Sequence, residues 1–358
     1  MKHKHAFTTT FSRCSDKVLQ KIKDTLNVNL WMIKRNDGIS RGIINSRELY
    51  KYLKTFLRYT KVPKIQPPIT TEVEKWRNNK IDLRRAIIIP CLQTDGYLGQ
   101  QNPREAVVFQ FYGKNRILHD YFVDAMYCTY KLLPSSYFIY KASSNQYATM
   151  YAQTTTKIKD ELKILCRSTK TAPANRQAVE DYLKEPQPHL NYLINAPETE
   201  QKIALRIWAS TEGCISVTRK GDYVYPILAI SCAHPALVAQ LIQITKRFNM
   251  NFYQKFSKRH WSGIWSLYSS SIRTCLEFLK IGGFIEGVKI SAHSKYHQGI
   301  PKNILQLGFL EFKRREKDNP FYRKIPIEKV HCEINGIIKN KEFKKAEYYI
   351  DYFSKFIS

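Results

Sequence analysis

Apolar residues return every three or four positions over NRILHDYFVDAMYCTYKL (115–132) and PALVAQLIQITKRF (235–248), the period of a helix with one buried face. Around them the period drops to two. AVVFQFYG (106–113), SYFIYKAS (136–143) and QYATMYAQ (146–153) alternate in one stretch. YPILAISC (225–232), NFYQKFSK (251–258) and GIWSLYSS (263–270) alternate in another. Their aromatic and β-branched content predicts strands. Further helices are predicted over TKIKDELKIL (156–165) and IRTCLEFLK (272–280).

Each stretch opens on an apolar helical segment that stops at an acid and a glycine. The first is IIPCLQTDG (88–96), the second LRIWASTEG (205–213), and β-like runs follow at Tyr97-Leu98 and from Cys214 to Thr218. Both stretches therefore read α-β-β-α-β-β-α. A repeat of about 100 residues is too long for a solenoid unit and implies a duplicated domain with pseudo-twofold symmetry. The expected class is α+β: two αββαββα repeats with curved antiparallel sheets, at 80–180 and 196–290. The acids break a local rule, because a helix C-terminus already carries partial negative charge. Gly96 is expected in the left-handed conformation that ends many helices.

The N-terminus carries part of the same pattern. HAFTTTFS (5–12) reads as a strand, SDKVLQKIKDTL (15–26) as a helix, NLWMIKR (29–35) and ISRGIIN (39–45) as strands, and SRELYKYLKTFL (46–57) as a helix. Residues 1–62 thus read as a truncated third repeat lacking its first helix and strand. The alternative is an unrelated small α+β appendage. PKIQPP (63–68) is the expected linker. Residues 291–358 read as a basic tail of amphipathic helices that pack on the second repeat or touch a nucleic-acid backbone.

Charge changes the picture most. Lys and Arg number 58 against 30 Asp and Glu, a net charge of +28. That excess points to a polyanionic partner, with nucleic acid ahead of an acidic membrane surface. No apolar stretch approaches the roughly 20 residues of a spanning helix, so no membrane partner is expected. MKHKHAFTTTFS lacks the apolar core of a signal peptide. The eight cysteines form no CxxC pair, which argues against structural zinc and fits a reducing, intracellular setting, cytoplasm, nucleoid or organelle matrix. His293 and His297 could share a helix face, but no carboxylate or cysteine stands nearby to complete a metal site.

Two apolar helices ending in acid-glycine, each opening an αββαββα unit, resemble the LAGLIDADG homing endonucleases, in their single-chain, two-motif form. The motif positions are 88–96 and 205–213, and YLINAPETEQKIALR (192–206) resembles the family's usual lead into a second motif. The resemblance covers roughly residues 80–290. It departs at the helix crossing, where the family has small residues and this chain has Ile89, Pro90, Arg206 and Ile207. Pro90 should also kink its helix.

The resemblance implies a monomer that cuts double-stranded DNA at a specific site by metal-dependent phosphodiester hydrolysis, encoded within a mobile intron. Mg²⁺, with Mn²⁺ as substitute, activates water and offsets phosphate charge in such chemistry, and needs only one or two carboxylates. Asp95 and Glu212 would supply one each, with the Thr94 and Thr211 carbonyls as further ligands by resemblance. The bland alternative is that both acids merely end helices in solvent. By the same resemblance Lys289 is the basic residue beside the metal, polarising water or stabilising transition-state charge.

The face of each sheet away from its helices is expected to meet nucleic acid. In 252–259, Tyr253, Lys255, Ser257 and Arg259 share one face while Phe252 and Phe256 share the other. Ser266 and Tyr268 oppose Trp265 and Leu267. Lys114, Lys141, Arg219 and Lys220 lie in or beside equivalent strands and turns, as phosphate contacts more than base readers. Two rivals keep the fold without cleavage: an RNA maturase or ribonucleoprotein component acting on intron RNA, and a DNA-binding regulator.

Overall fold

The computed structural model describes residues 8–14, 16–27, 29–34, 40–45, 69–101, 106–142, 145–151, 189–232, 235–257, 264–292 and 294–356. The helices expected at 46–57 and 156–165 lie outside these residues. The chain divides into two compact units, Met1–Gln66 and Pro67–Ser358.

The first unit holds β1 (Thr8–Cys14), α1 (Asp16–Leu26), β2 (Leu30–Lys34) and β3 (Ser40–Asn45). Its sheet is antiparallel in the order β1-β3-β2. Leu19 of α1 packs with Leu30 and Ile44 as a small core of its own.

The second unit begins with α2 (Thr71–Asn78). A π-helical turn, Arg84–Ile88, then runs into α3 (Ile89–Asp95), which carries Pro90 in its first turn. The proline explains the turn: its ring would press on the carbonyl four residues back, and the widened π turn accommodates that. β4 (Gly96–Gln101), β5 (Ala106–Gly113), α4 (Arg116–Tyr130), β6 (Ser136–Lys141) and β7 (Gln146–Tyr151) complete the first half. After the short α5 (Asn191–Ile194), the second half repeats the order with α6 (Glu198–Glu212), β8 (Gly213–Lys220), β9 (Tyr223–Cys232), α7 (Pro235–Lys246), β10 (Tyr253–Ser257), β11 (Ile264–Ser269) and α8 (Ile272–Lys280). The two antiparallel sheets have matching strand orders, β4-β5-β7-β6 and β8-β9-β11-β10.

Both acid-bearing helices pass straight into a strand. The expectation of a left-handed Gly96 is not met: φ/ψ is −88°/160° there and −86°/152° at Gly213, both extended. Glycine is required for space instead. A Cβ on either residue would run into the main chain one turn back, at Leu92 or Ala209.

α3 and α6 lie side by side. Ile203 and Ile207 of α6 are buried in the first half's core with Ile87, Ile88, Ile89, Leu92, Phe111 and Phe122. Each such side chain contributes roughly 1.5–3 kcal/mol on burial. Arg206 avoids the hydrophobic seam by turning aside. Its Nε donates to Gly283 O at 3.2 Å, and its guanidinium lies 3.7 Å from Glu72 and over the Trp76 ring.

The tail forms α9 (Lys302–Asp318), α10 (Ile327–Lys339) and α11 (Ala346–Ser354). Leu305, Phe309, Leu310 and Phe312 of α9 join the second half's core beside Trp208, Leu237 and Phe278. Gly308 admits the Ile338 side chain, which a Cβ would meet at 2.7 Å. No helix among the described residues is long and apolar enough to cross a membrane.

Candidate functional site

Asp95 closes α3 and Glu212 closes α6. The threonines before them behave alike. Thr94 Oγ1 donates to the carbonyls of Pro90 (2.9 Å) and Cys91 (3.2 Å), and Thr211 Oγ1 to those of Ile207 (2.9 Å) and Trp208 (3.1 Å). With both hydroxyls turned back on their helices, what either threonine can offer a ligand is its carbonyl oxygen.

Because the helices are neighbours, their ends open on one pocket of about 920 Å³. It is lined by Asp95, Thr211, Gly213, Lys114, Lys289 and Lys302, together with Ser210, Cys214 and Ser216; Glu212 and Thr94 are not among its lining residues. Glu212 Oε1 is cut off from solvent beside it. Among the described residues no cluster of three or more His, Cys, Asp and Glu could hold a metal. The oxygen donors are the Asp95 carboxylate in the lining, the Glu212 carboxylate at the neighbouring helix end, and main-chain carbonyls, with the Cys214 thiol also in the lining. So carboxylate-poor a set of oxygens fits a hard divalent ion that keeps its waters and takes oxygens from a phosphate.

Lys289 sits exposed at the rim, its main-chain N–H donating to Asn115 Oδ1 at 3.0 Å. Lys114, also exposed, lies at the other side. The lysine that enters the pocket's floor is Lys302, which sequence reading missed. Its Nζ donates to Gly213 O at 2.6 Å and Ser210 O at 2.9 Å. Burial brings its pKa down to about 8, against the pull of Cys214, Glu212 and Asp95. One signal was available: a lysine at the first position of a helix faces the positive end of the dipole, as the two acids face negative ends.

In the second sheet, register separates the faces. Leu267, Ile230 and Leu228 point into the core. Tyr253 and Lys255 pair with Tyr268 and Ser266, on the opposite, open face, and Ser257 pairs with Ile264 in the backbone register. Lys220, paired with Tyr223, shares that face. Lys255 Nζ lies 4.3 Å from the centre of the Tyr268 ring, which packs against Tyr253 at 5.1 Å. Ser257 is placed by backbone register alone, and Arg259 lies outside the described residues. Lys141, paired with Gln146, ends β6 in the first sheet.

Arg219 is differently placed. It pairs with buried Val224, on the core side. Its Nε donates to Gly221 O at 2.7 Å, and its guanidinium donates to the carbonyls of Arg323 and Ile325. It therefore ties the β8–β9 hairpin to the tail instead of facing the open side. Tyr223 and Tyr225, which the sequence did not single out, do lie on the open face, Tyr223 being 63% exposed.

His297 pairs with a residue far away in sequence. Its Nε2 is 2.8 Å from His331 Nδ1 and its Nδ1 2.8 Å from Asn335 Oδ1, while Tyr296 stacks on His331. This buried latch holds the loop behind the pocket to α10.

No protein-family model matches the sequence, and no curated protein matches it. Among solved structures the chain is similar to the homing endonuclease I-WcaI bound to its DNA recognition sequence (14% identity, TM-score 0.38, covering 62% of this chain and 92% of that one). It is also similar to I-DmoI in complex with DNA and Mn (11%, 0.37, 56% and 96%) and to the meganuclease I-SmaMI bound to uncleaveable DNA (8%, 0.42, 70% and 96%). None of these figures assigns an activity to this chain.

Proposed function

We propose that this chain is a site-specific, homing-type endonuclease that cuts double-stranded DNA by metal-dependent phosphodiester hydrolysis. One observation carries the reading: the ends of two side-by-side helices, Asp95 on one and, on the other, Thr211 and Gly213 flanking Glu212, border a single pocket. Since one chain supplies both acids, a monomer suffices.

Asp95, Glu212 and the Thr94 and Thr211 carbonyls would hold Mg²⁺ or Mn²⁺, which supplies an activated water and positive charge against the scissile phosphate. The protein's own part is placement. The two corners orient one carboxylate from each half toward the duplex. Lys114 and Lys289 at the rim attract phosphate oxygens, and Lys289 is placed to stabilise charge that builds on them. The open face of the second sheet brings Tyr253, Lys255, Ser266, Tyr268 and Lys220 to the groove and backbone. We read residues 8–45 as part of a truncated third repeat, because the order β1-β3-β2 is that of β5-β7-β6.

A second reading, intron-RNA binding without cleavage, is favoured by Tyr223, Tyr225, Tyr253 and Tyr268 on one open face, since aromatic stacking suits unpaired bases. The deciding experiment incubates the protein and Mg²⁺ with DNA flanking its own gene and, in parallel, measures binding of single-stranded RNA from the same locus. A double-strand cut that disappears in Asp95→Asn and Glu212→Gln, with DNA binding kept, supports the first reading. Tight binding of RNA with no cut in Mg²⁺ or Mn²⁺ supports the second.

A further inference from the structure

Lys302 is 7% exposed, yet it is the first residue of α9 and its ammonium lies beneath the pocket. Three main-chain carbonyls receive it: Gly213 O at 2.6 Å, Ser210 O at 2.9 Å and Ala209 O at 3.4 Å. The ring of Phe284 stands 5.3 Å away. These carbonyls belong to the last turn of α6 and the first residue of β8, where the helix presents its negative pole. The corner is fixed from the other side as well. Ser210 Oγ accepts from Ile285 N at 2.7 Å, and Lys302 N donates to Val288 O at 2.8 Å. Asp95 and Glu212 both act electrostatically on the ammonium.

This arrangement puts a lysine at the wrong end of one helix against an acid at the wrong end of another. Each offsets the other's unfavourable position. It also places an ammonium in the lining of the pocket that Asp95 borders. A divalent cation held there would be repelled by it.

We infer that Lys302 is a positioning residue that acts as the site's resident cation. It holds the Glu212 corner and weakens the pocket for divalent ions, so that tight metal binding waits for the phosphates of a bound nucleic acid to restore negative charge. The inference rests on the reading of Asp95 and Glu212 as metal-holding acids.

The test is Mn²⁺ binding by the full chain, followed by electron paramagnetic resonance with and without a duplex. Lys302→Gln keeps an N–H donor for the carbonyls and removes the charge; Lys302→Arg keeps the charge. In the absence of duplex, Lys302→Gln should bind Mn²⁺ at least about tenfold more tightly than the unmodified protein, and Lys302→Arg within about twofold of it. Duplex should tighten binding more in the unmodified protein than in Lys302→Gln. Equal or weaker affinity in Lys302→Gln would mark the lysine as a structural pin and overturn the inference, leaving the metal reading intact. Loss of all Mn²⁺ binding that depends on Asp95 and Glu212, in every variant, would instead remove the metal reading and this inference with it. Lys302→Met provides the same comparison if the glutamine variant does not fold. Failure of both neutral variants to fold, with Lys302→Arg folded, would also overturn it.

Discussion

Arg85 Nε donates to Glu200 Oε2 at 2.7 Å, joining the start of one acid-bearing helix to the first turn of the other. Glu200 is almost wholly buried and also accepts from Arg85 Nη2 and from Asp82 N, both at 3.2 Å. Removing the arginine would leave a buried carboxylate short of its partner. Arg85→Ala should therefore cost about 1–3 kcal/mol, discounted because Arg85 itself is a third exposed. Glu200→Gln, which keeps an acceptor, should cost less. Chemical denaturation of the two variants checks the order.

The two glycine corners make a sharper demand. Gly96→Ala or Gly213→Ala would drive a methyl group into main-chain atoms of the preceding turn. Main chain cannot yield as a side-chain tip can, so each should destabilise by about 3 kcal/mol, the upper end of the usual overpacking cost. Alanine at half-buried Gly336, where nothing lies within 4 Å of the added carbon, serves as the control and should not destabilise. Thermal melts of the three variants suffice.

Two buried groups give opposite pH slopes. Burial lowers His119 to about 4, although its Nε2 contact with Gly113 O favours the charged form. A depressed folded pKa means that its stabilising effect is complete above the unfolded value of about 6.5 and is lost as pH falls from there toward 4. The effect is at most about 3 kcal/mol. Burial raises Asp124 to about 6, with Thr70 N donating to Oδ2 at 2.7 Å. Its contribution runs the other way, complete below about 3.8 and lost as pH rises through 6. Asp124→Asn should therefore gain on the unmodified protein as pH rises from 4 to 7. His119→Gln should flatten the acid limb between 6.5 and 4. Melting temperatures across pH 4–7.5 read both.

Arg219 and Lys255 separate folding from binding. Arg219→Ala should lower the melting temperature, because it frees the carbonyls of Arg323 and Ile325 and unties the tail. Lys255→Ala should leave the melt unchanged, weaken duplex binding, and reduce the slope of log affinity against log salt by about one. A Lys255→Ala slope equal to the original would remove that lysine from the interface.

Much of this was written locally in the chain. Period-2 and period-3.6 patterns mark strands and helices without help from the fold, since each side chain's face follows from backbone geometry alone. They placed β5 to β11 and α4, α6, α7 and α8, and the paired Thr-acid-Gly segments located both helix ends. The net charge of +28 likewise needs no structure to imply a polyanionic partner.

Contacts between distant positions were beyond that reach. Arg206 looked like an obstacle at the helix crossing until Glu72 and Gly283, far off in the chain, drew it aside. Arg219 looked free for nucleic acid until the tail folded across it. Gly96 was expected to be left-handed on its residue type, but the proximity of Leu92 decides its role. Lys302 had only a faint mark, its place at the wrong end of a helix. Sequence fixes which face a residue presents, because that depends on its nearest neighbours. Only the tertiary structure decides what that face meets, because the carbonyls that hold Lys302 come from residues 209, 210 and 213, brought there by packing α9 against β8.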